Sequence, residues 1–276
     1  MRFVLILTLL AATAAVSQGD WAWILNVGPP INTSAWEYWC SIDNDKIFFN
    51  RDDGKIYVSE KNESTWSNPQ ALPPPINDPG AEAPYWHWPS NYLHFCGVFS
   101  GGYGSGDIWK SHWTGSTWEA RENLGPSVNT SANEYSCCIS TDGNYLYFSR
   151  DGQIYIADKS GNTWINARPT GIGQGYVGSY LNGYLYFHSN RSGGYGNNDV
   201  WKVQGSGTSW GPPQNLGSQI NTSSNEGSPT WTSDGKYMYF HSNKPGGYGS
   251  YDLYWARYTE TAVSPASLGQ IKAMFQ

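Results

Sequence analysis

The chain has 276 residues and a formal net charge of −6, and its aromatic residues (16%) outnumber its charged residues (14%). So many aromatic residues exclude a disordered chain, and the acidic balance without a basic patch argues against a nucleic-acid partner. The 32 glycines and 16 prolines favour short strands joined by tight turns over long helices.

Residues 1–17 have the pattern of a secretory signal peptide. Arg2 supplies the positive start, an apolar run extends from Phe3 to Ala15, and the small residues Ala15 and Ser17 precede a cleavage site. The run is about 13 residues long, shorter than the roughly 20 that cross a bilayer. We therefore predict export to the periplasm or the extracellular space and no membrane span in the mature chain. An uncleaved anchor is the alternative.

Beyond this segment the chain repeats itself. Residues 119–164 and 211–258 share a frame of NLG, NTSxNE, S/TDG and a YxYF strand. A tryptophan marks each unit with gaps of 43, 52, 46 and 46 residues, and the series is Trp23, Trp66, Trp118, Trp164 and Trp210. A period of about 40 to 50 residues with several short strands per unit is typical of the blades of a β-propeller.

Each unit is predicted to contain four strands. In the third unit these are Tyr135–Ser140, Tyr145–Arg150, Gln153–Asp158 and a strand that starts at Trp164. An Asp142-Gly143 turn separates the first two, because Asp-Gly readily adopts the left-handed conformations that a tight hairpin needs.

The two ends of the repeat array are complementary. The mature chain begins with a lone strand at Trp21–Val27, whereas the last unit stops near Tyr258 after three strands. The N-terminal strand is therefore predicted to complete the last blade, which removes free sheet edges. We predict an all-β, monomeric, five-bladed propeller of four-stranded antiparallel blades over residues 18–258. The tail, 259–276, is either a short docked helix, the remainder of an attachment signal, or a loose terminus.

The motifs NxxGxxxNTxxNE, SDGxxxYF and GGYGxxD resemble the PD40 repeat, a WD40-like repeat of the TolB type, over residues 21–258. This resemblance implies the propeller fold and a periplasmic or extracellular setting. Related proteins join such a propeller to an OmpA-like, peptidoglycan-binding domain. The 276 residues contain no such sequence, so the resemblance does not imply peptidoglycan anchoring.

A glutamate recurs just before the first strand of four units. The series is Glu37, Glu82, Glu134 and Glu226, with Gln174 in the fourth unit. Carboxylates gathered near one axis could hold a cation or supply an acid and a base. Among five-bladed propellers are glycoside hydrolases with three carboxylates at the channel mouth, so these glutamates are the candidate catalytic residues.

A structural interpretation of the same glutamates is favoured. A basic residue recurs near the end of the second strand, at Arg51, Arg150, Arg191 and Lys244. Catalytic carboxylates need different environments, whereas one residue repeated in one motif favours repeated ion pairs.

A Gly-Gly-Tyr-Gly loop occurs three times, and each copy is followed by an aspartate: Asp107, Asp199 or Asp252. Glycine permits positive φ angles, and aspartate accepts hydrogen bonds from the amides of its own loop. We predict a structural loop, with calcium binding by the aspartates as the alternative and no other cofactor.

Aromatic residues that depart from the repeat are the candidate ligand contacts. The regular tryptophans are predicted to pack between blades. The predicted ligand-binding residues are Trp36, Trp39, Trp86, Trp88, Gln174 and Tyr176. Sugar rings stack on exposed aromatic side chains, and protein interfaces also use them.

The four cysteines are Cys40, Cys96, Cys137 and Cys138. Export permits disulfides, but four cysteines allow three pairings, and buried free thiols remain the alternative.

These observations predict a binding or scaffolding propeller for a protein or glycan partner, bound through rim loops of the first and second blades. Those blades depart most from the repeat, and function is often added where a structural consensus is broken. The alternative is a glycan-active enzyme that uses the channel-mouth carboxylates.

Overall fold

The computed structural model describes residues 20–259. The predicted signal peptide and residues 260–276 of the predicted tail lie outside this range. The described chain is all-β, and its strands form five antiparallel sheets, one for each repeat unit. The five sheets are the blades of a β-propeller, as the sequence predicts.

The blades follow the chain order. Blade I contains β2 (Glu37–Asp43), β3 (Lys46–Arg51), β4 (Ile56–Asn62), β5 (Thr65–Trp66) and β6 (Gln70–Ala71). Blade II contains β7 (Glu82–His87), β8 (Tyr92–Gly97), β9 (Asp107–His112) and β10 (Glu122–Asn123). Blade III contains β11 (Glu134–Ile139), β12 (Tyr145–Arg150), β13 (Gln153–Ser160) and β14 (Thr163–Gln174). Blade IV contains β15 (Tyr176–Leu181), β16 (Tyr184–Ser189), β17 (Asp199–Ser206), β18 (Ser209–Trp210) and β19 (Gln214–Asn215). Blade V contains β20 (Glu226–Trp231), β21 (Tyr237–Ser242), β22 (Asp252–Thr259) and β1 (Asp20–Asn26).

The fourth strand of blades I and IV is interrupted. β5 and β6 both pair with β4, and β18 and β19 both pair with β17, so each of these blades keeps four strand positions. A short 3-10 helix, Trp88–Ser90, follows β7. Among residues 20–259 no helix has the length and apolar character that a membrane crossing requires.

The N-terminal strand closes the ring, as predicted. β1 pairs antiparallel with β22, from Asp20 opposite Thr259 to Asn26 opposite Tyr254. The ring of Trp21 lies 5.5 Å from that of Trp231 in the first strand of the same blade. The N-terminal strand and the three strands of the last repeat unit therefore form one sheet.

The core lies between the blades. The described residues form five hydrophobic clusters, and each cluster joins two neighbouring blades. A single blade buries only part of its apolar surface, so the ring is the stable unit.

The first strand of each blade lines the central channel, and each of these five strands has the register shift of a bulge. The bulge residue has a positive φ angle in four blades, at Trp39, Ala83, Ser136 and Ser228. A bulge re-aims the side chains beside it. In this protein the bulge lies near one rim of the ring. That rim carries the loop that enters the first strand and the loop between the second and third strands. We call this side the upper rim, and the opposite side the lower rim.

Candidate functional site

Three of the repeated glutamates are buried and saturated with hydrogen bonds. Glu37, Glu134 and Glu226 have no exposed surface. Each accepts bonds from the backbone amide and the hydroxyl of the threonine four residues earlier; for Glu134, Thr130 donates at 2.9 and 2.7 Å. These carboxylates tie the loop that enters the blade to its first strand.

Arginine completes this network in two blades. Arg51 Nε lies 3.2 Å from Glu37, and Arg150 Nε lies 2.7 Å from Glu134. The predicted ion pairs are therefore present in blades I and III. Burial raises the pKa of Glu37 more than its bonds to Thr33 and the charge of Arg51 lower it.

The other two predicted basic partners make different contacts. In blade V the hydroxyl of Ser242 donates to Glu226 at 2.8 Å, while Lys244 lies over the ring of Tyr254 at 3.9 Å. In blade IV Arg191 donates to the backbone carbonyl oxygen of Gln174.

Glu82 does not occupy the position of the other glutamates, so the prediction from the repeat is wrong for blade II. It lies opposite Cys96, whereas Glu134 lies opposite Arg150, one position further along the partner strand.

The buried position belongs to Ala81 in blade II. The corresponding residue of blade IV is Gly175, not Gln174, since both Ala81 and Gly175 donate their amides to the preceding turn. The segment from the repeated asparagine of the entry loop to the bulge residue is one residue shorter in blade II than in blades I, III and V. A slip of one residue turns a strand side chain to the other face.

Because of this slip, Glu82 faces the upper mouth of the channel. It is partly exposed and accepts a hydrogen bond from the hydroxyl of Tyr135. Burial, followed by the charge of Glu82, raises the pKa of Tyr135 and raises that of Tyr38 to about 12. Both phenols therefore stay protonated at neutral pH and can donate hydrogen bonds.

A group of aromatic rings lies below Glu82 in the channel. Trp39 lies at its centre, with ring centroids 5.1 Å from Tyr135 and 6.1 Å from Tyr176. On the rim the exposed Trp36 packs against Tyr251 at 5.9 Å. We use the term aromatic floor for Trp36, Trp39, Tyr135, Tyr176 and Tyr251.

Two buried histidines hold the bulges that shape this floor. His241 Nδ1 accepts the amide of Trp39 at 3.3 Å, and His188 Nδ1 accepts the amide of Ser228 at 3.2 Å. Burial lowers the pKa of His188 to about 4 and, together with the nearby His188, lowers that of His241 to about 3. Both imidazoles are therefore neutral at pH 7, as an accepting Nδ1 requires.

The structure divides the predicted ligand-binding residues between the two ends of the channel. Trp36, Trp39 and Tyr176 belong to the upper aromatic floor, and Gln174 is exposed on the same rim.

The other two lie at the lower mouth. Trp86 is buried and stacks on Phe48 at 5.4 Å between blades I and II, whereas Trp88 is 57% exposed. Both line a cavity of 180 Å³ at the lower mouth. The six predicted residues therefore do not belong to a single ligand site.

The aspartates of the glycine-rich loops bind the loops themselves. Both carboxylate oxygens of Asp107 accept loop amides, from Tyr103 at 2.7 Å and Gly104 at 3.2 Å. Asp199 and Asp252 repeat this arrangement. Within residues 20–259 no group of three or more His, Cys, Asp or Glu side chains is placed to hold a metal ion.

The four cysteines are buried, free thiols. Burial raises the pKa of each above its usual value, to about 12 for Cys40. The thiolate is the reactive form, so these groups serve as small apolar residues of the core.

Sequence reasoning missed Tyr38, Tyr135, His188 and His241 as channel residues. The Glu-Tyr pairs at 37–38 and 134–135 were a usable signal, because a residue that follows a buried glutamate beside a bulge turns toward the channel. The histidines follow the YxYF strands and were visible as a repeat.

Comparison with known proteins identifies relatives in fold. No protein-family model matches the chain, and no curated protein matches it in sequence. Among solved structures, the α-L-arabinofuranosidase from Lactobacillus brevis has 12% identity and a TM-score of 0.51 over 83% of this chain and 92% of that chain. A mutant GH43 protein, BlXynB from Bacillus licheniformis, has 11% identity and a TM-score of 0.52 over 86% of this chain and 57% of that chain.

TolB from Acinetobacter baumannii has 16% identity and a TM-score of 0.46 over 78% of this chain. This chain spans 53% of the length of TolB and 22% of the length of tricorn protease, another similar structure. At identities this low, the two structures with TM-scores above 0.5 show likeness of fold and no more.

Proposed function

We propose that this protein is a binding propeller that recognises a glycan at the upper mouth of its channel. One observation carries the proposal: of the four candidate carboxylates, Glu82 alone faces the mouth, directly above an aromatic floor. The other three are buried within their own blades.

A glycan fits this surface chemically. Trp36 and Trp39 offer flat rings for the apolar faces of sugars, and the Glu82 carboxylate accepts bonds from sugar hydroxyls. The phenols of Tyr38 and Tyr135 add donors. A protein segment is the other partner class that the sequence predicts, and it enters the test below as a competing outcome.

The presence of only one of the four candidate carboxylates at the mouth argues against glycoside hydrolysis. Retaining and inverting glycosidases use two carboxyl groups about 5 to 10 Å apart across the scissile bond. Glu37, Glu134 and Glu226 cannot supply the second group without breaking their bonds to threonine and to Arg51, Arg150 or Ser242. Binding without turnover is the function that the geometry supports best.

The proposal includes an exported, monomeric protein of the PD40 type. It is supported by the signal-peptide pattern of residues 1–17 and by the repeat motifs. In blades III and V the NTSxNE motif has the same structural role, since it contributes the threonine and the buried glutamate of the entry loop.

A glycan array with the purified protein is the first test, followed by titration of the best glycan against two matched variants. Glu82→Gln is expected to weaken binding about tenfold, because a neutral amide replaces a charged acceptor, and to leave the thermal midpoint unchanged. Glu134→Gln is expected to leave affinity unchanged and to lower stability by about 3 kcal/mol, because it leaves Arg150 without its buried partner.

Three results would contradict the proposal. Equal affinity of Glu82→Gln and the unmodified protein would remove the upper mouth from recognition. Release of shorter sugars during incubation would establish the enzymatic alternative. Binding of a protein with no glycan bound on the array would assign the protein class of partner.

A further inference from the structure

Three of the five interfaces between blades share one kind of contact. In these three, an aromatic residue of a second strand contacts an aromatic residue of the next blade's first strand. The pairs are Phe48 with Trp86 at 5.4 Å, Tyr147 with Tyr180 at 5.4 Å, and Tyr186 with Trp231 at 5.2 Å.

The interface between blades II and III replaces this pair with a different filler. Ile139 occupies the first-strand position, opposite Leu146 within its sheet, as Trp86 lies opposite Leu93. Tyr85 fills the remaining space: its ring lies 5.9 Å from His94, and its hydroxyl donates to the carbonyl oxygen of Ile139. This interface is closed.

The interface between blades V and I has no such filler. Ile42 occupies the first-strand position, opposite Ile47, and Tyr239 holds the second-strand position in blade V. A cleft of 380 Å³ remains between the two blades, open at the lower rim and reaching Val27 behind the closing strand. Its volume lies in the lower part of the range of small-molecule sites, about 300–1,000 Å³.

The walls and the rim of this cleft differ in chemistry. Its walls carry the aromatic rings of Trp66, Tyr237, Tyr239 and Trp255. Its rim carries Asp45 and Asp234 from turns of blades I and V, and Lys61 from β4. The turn of blade I is tied to β4, since the amide of Lys61 donates to Asp45 O at 2.7 Å.

The charges favour a neutral ligand. The ammonium of Lys61 lies 5.6 Å from the centre of the Trp66 ring, so one wall already faces a cation. Two carboxylates, Asp45 and Asp234, face the same opening, and Lys236 pairs with Asp234 at 3.1 Å. The charges around the opening therefore balance, and they favour neither a cation nor an anion. A neutral molecule with an apolar face and several hydroxyl groups matches both features.

We propose that this cleft between blades V and I binds a neutral sugar unit. The apolar face of the sugar packs on the aromatic walls, and its hydroxyls bond to Asp45, Lys61 and Asp234. The cleft shares no residue with Glu82 or the aromatic floor, so this site and the upper mouth succeed or fail independently. A sugar held here contacts both sides of the seam where the ring closes, and it stabilises the closed ring by mass action.

Fluorine NMR of the protein labelled with fluorotryptophan provides a local test. Signals of Trp66 and Trp255 report the cleft, and that of Trp39 reports the upper mouth; single Trp→Phe variants assign them. N-acetylglucosamine, cellobiose and maltose serve as neutral probes, and tetramethylammonium serves as the cationic probe. We expect at least one sugar to shift the Trp66 and Trp255 signals and tetramethylammonium to leave them in place.

Ile42→Trp is the decisive variant. Ile42 packs in one buried cluster with Tyr239, which lines the cleft, and tryptophan restores the aromatic residue that blades II and V have at this position. We expect it to abolish the sugar-dependent shifts of Trp66 and Trp255, with a thermal midpoint equal to or above that of the unmodified protein. Lys61→Met removes a donor at the surface while keeping the alkyl stem, and we expect it to weaken binding several-fold. It provides the test even if Ile42→Trp misfolds. Glu82→Gln is the matched control and should leave cleft binding intact.

The proposal is overturned if no neutral sugar shifts the two cleft signals, or if both Ile42→Trp and Lys61→Met bind as the unmodified protein does. Shifts caused by tetramethylammonium alone would replace the sugar with a cationic ligand class. A shift of Trp39 with silent cleft signals would support the upper mouth and reject the cleft.

Discussion

At the scale of single residues, His188 and His241 determine the shape of the upper mouth. Each ring is buried and accepts a backbone amide at a bulge, so protonation would remove the acceptor and place a charge in the core. The aromatic floor depends on the neutral form, since one of the two amides belongs to Trp39 itself.

This arrangement predicts loss of stability in mild acid. Burial lowers the pKa of His241 to about 3 and of His188 to about 4, whereas unfolded histidine titrates near 6.5. Below about pH 6.5 the unfolded chain therefore binds protons that the folded chain does not. The free energy of unfolding is expected to be highest above pH 7 and to fall steadily from pH 6.5 toward pH 4.

Urea denaturation at a series of pH values measures this slope. His241→Asn keeps an acceptor without the titration, so its slope between pH 6.5 and 4 should be shallower. Some slope should remain, because burial also lowers the pKa of His87 and of His94. His112→Asn, at a partly exposed position of β9, is the control. An unchanged slope in His241→Asn would contradict the assignment.

At the scale of elements, the glycine-rich loops of blades II, IV and V each contact the next blade. Gly104, Gly196 and Gly249 lie so close to the entry loop of the following blade that a Cβ atom would overlap its carbonyl oxygens. The aspartate of each loop fixes this approach by accepting two loop amides. The repeat motif GGYGxxD therefore describes a contact between blades.

Gly196→Ala is expected to destabilise the protein by about 3 kcal/mol, because the added methyl meets backbone of Ser224 and Thr222, which cannot rotate away. Gly211→Ala is the matched control: its nearest neighbour would be Gln204 O at 3.5 Å, an ordinary contact. Thermal and urea unfolding of the two variants decide the matter. Equal stability of both would mean that the loop moves at little cost.

At the scale of the whole molecule, stability depends on closing the ring. β1 supplies the outermost strand of blade V and pairs with β22 along its length, with one bulge between Ala22 and Leu25. Without it, β22 becomes an open edge with unpaired backbone groups, a template for pairing with other chains.

Removing residues 20–26 is therefore expected to lower the thermal midpoint strongly and to produce self-association in light scattering. Trp23→Ser is the control, since that side chain is 63% exposed and the substitution keeps the strand pairing. A truncated protein that remains monomeric and as stable as Trp23→Ser would show that the ring does not need its closing strand.

The sequence by itself determined the architecture. The tryptophan spacing, the YxYF strands and the Asp142-Gly143 turn predict blades, strands and hairpins, because these depend on local side-chain alternation and turn conformation. Even the closure by β1 follows from counting strands at the two ends.

Only the tertiary structure decided where the candidate sites lie. The Asn-to-Glu spacing is the same in blade II as in its neighbours, yet Glu82 lies one register position away and turns toward the channel. Likewise, Ile42 is an ordinary strand residue in sequence, and only the closed ring packs it with Tyr239 at the seam where the cleft lies. The orientation of Glu82 depends on strand register, because a slip of one residue turns a side chain to the other face of the strand. The cleft depends on packing between blades V and I, which are far apart in sequence and come together only when the ring closes.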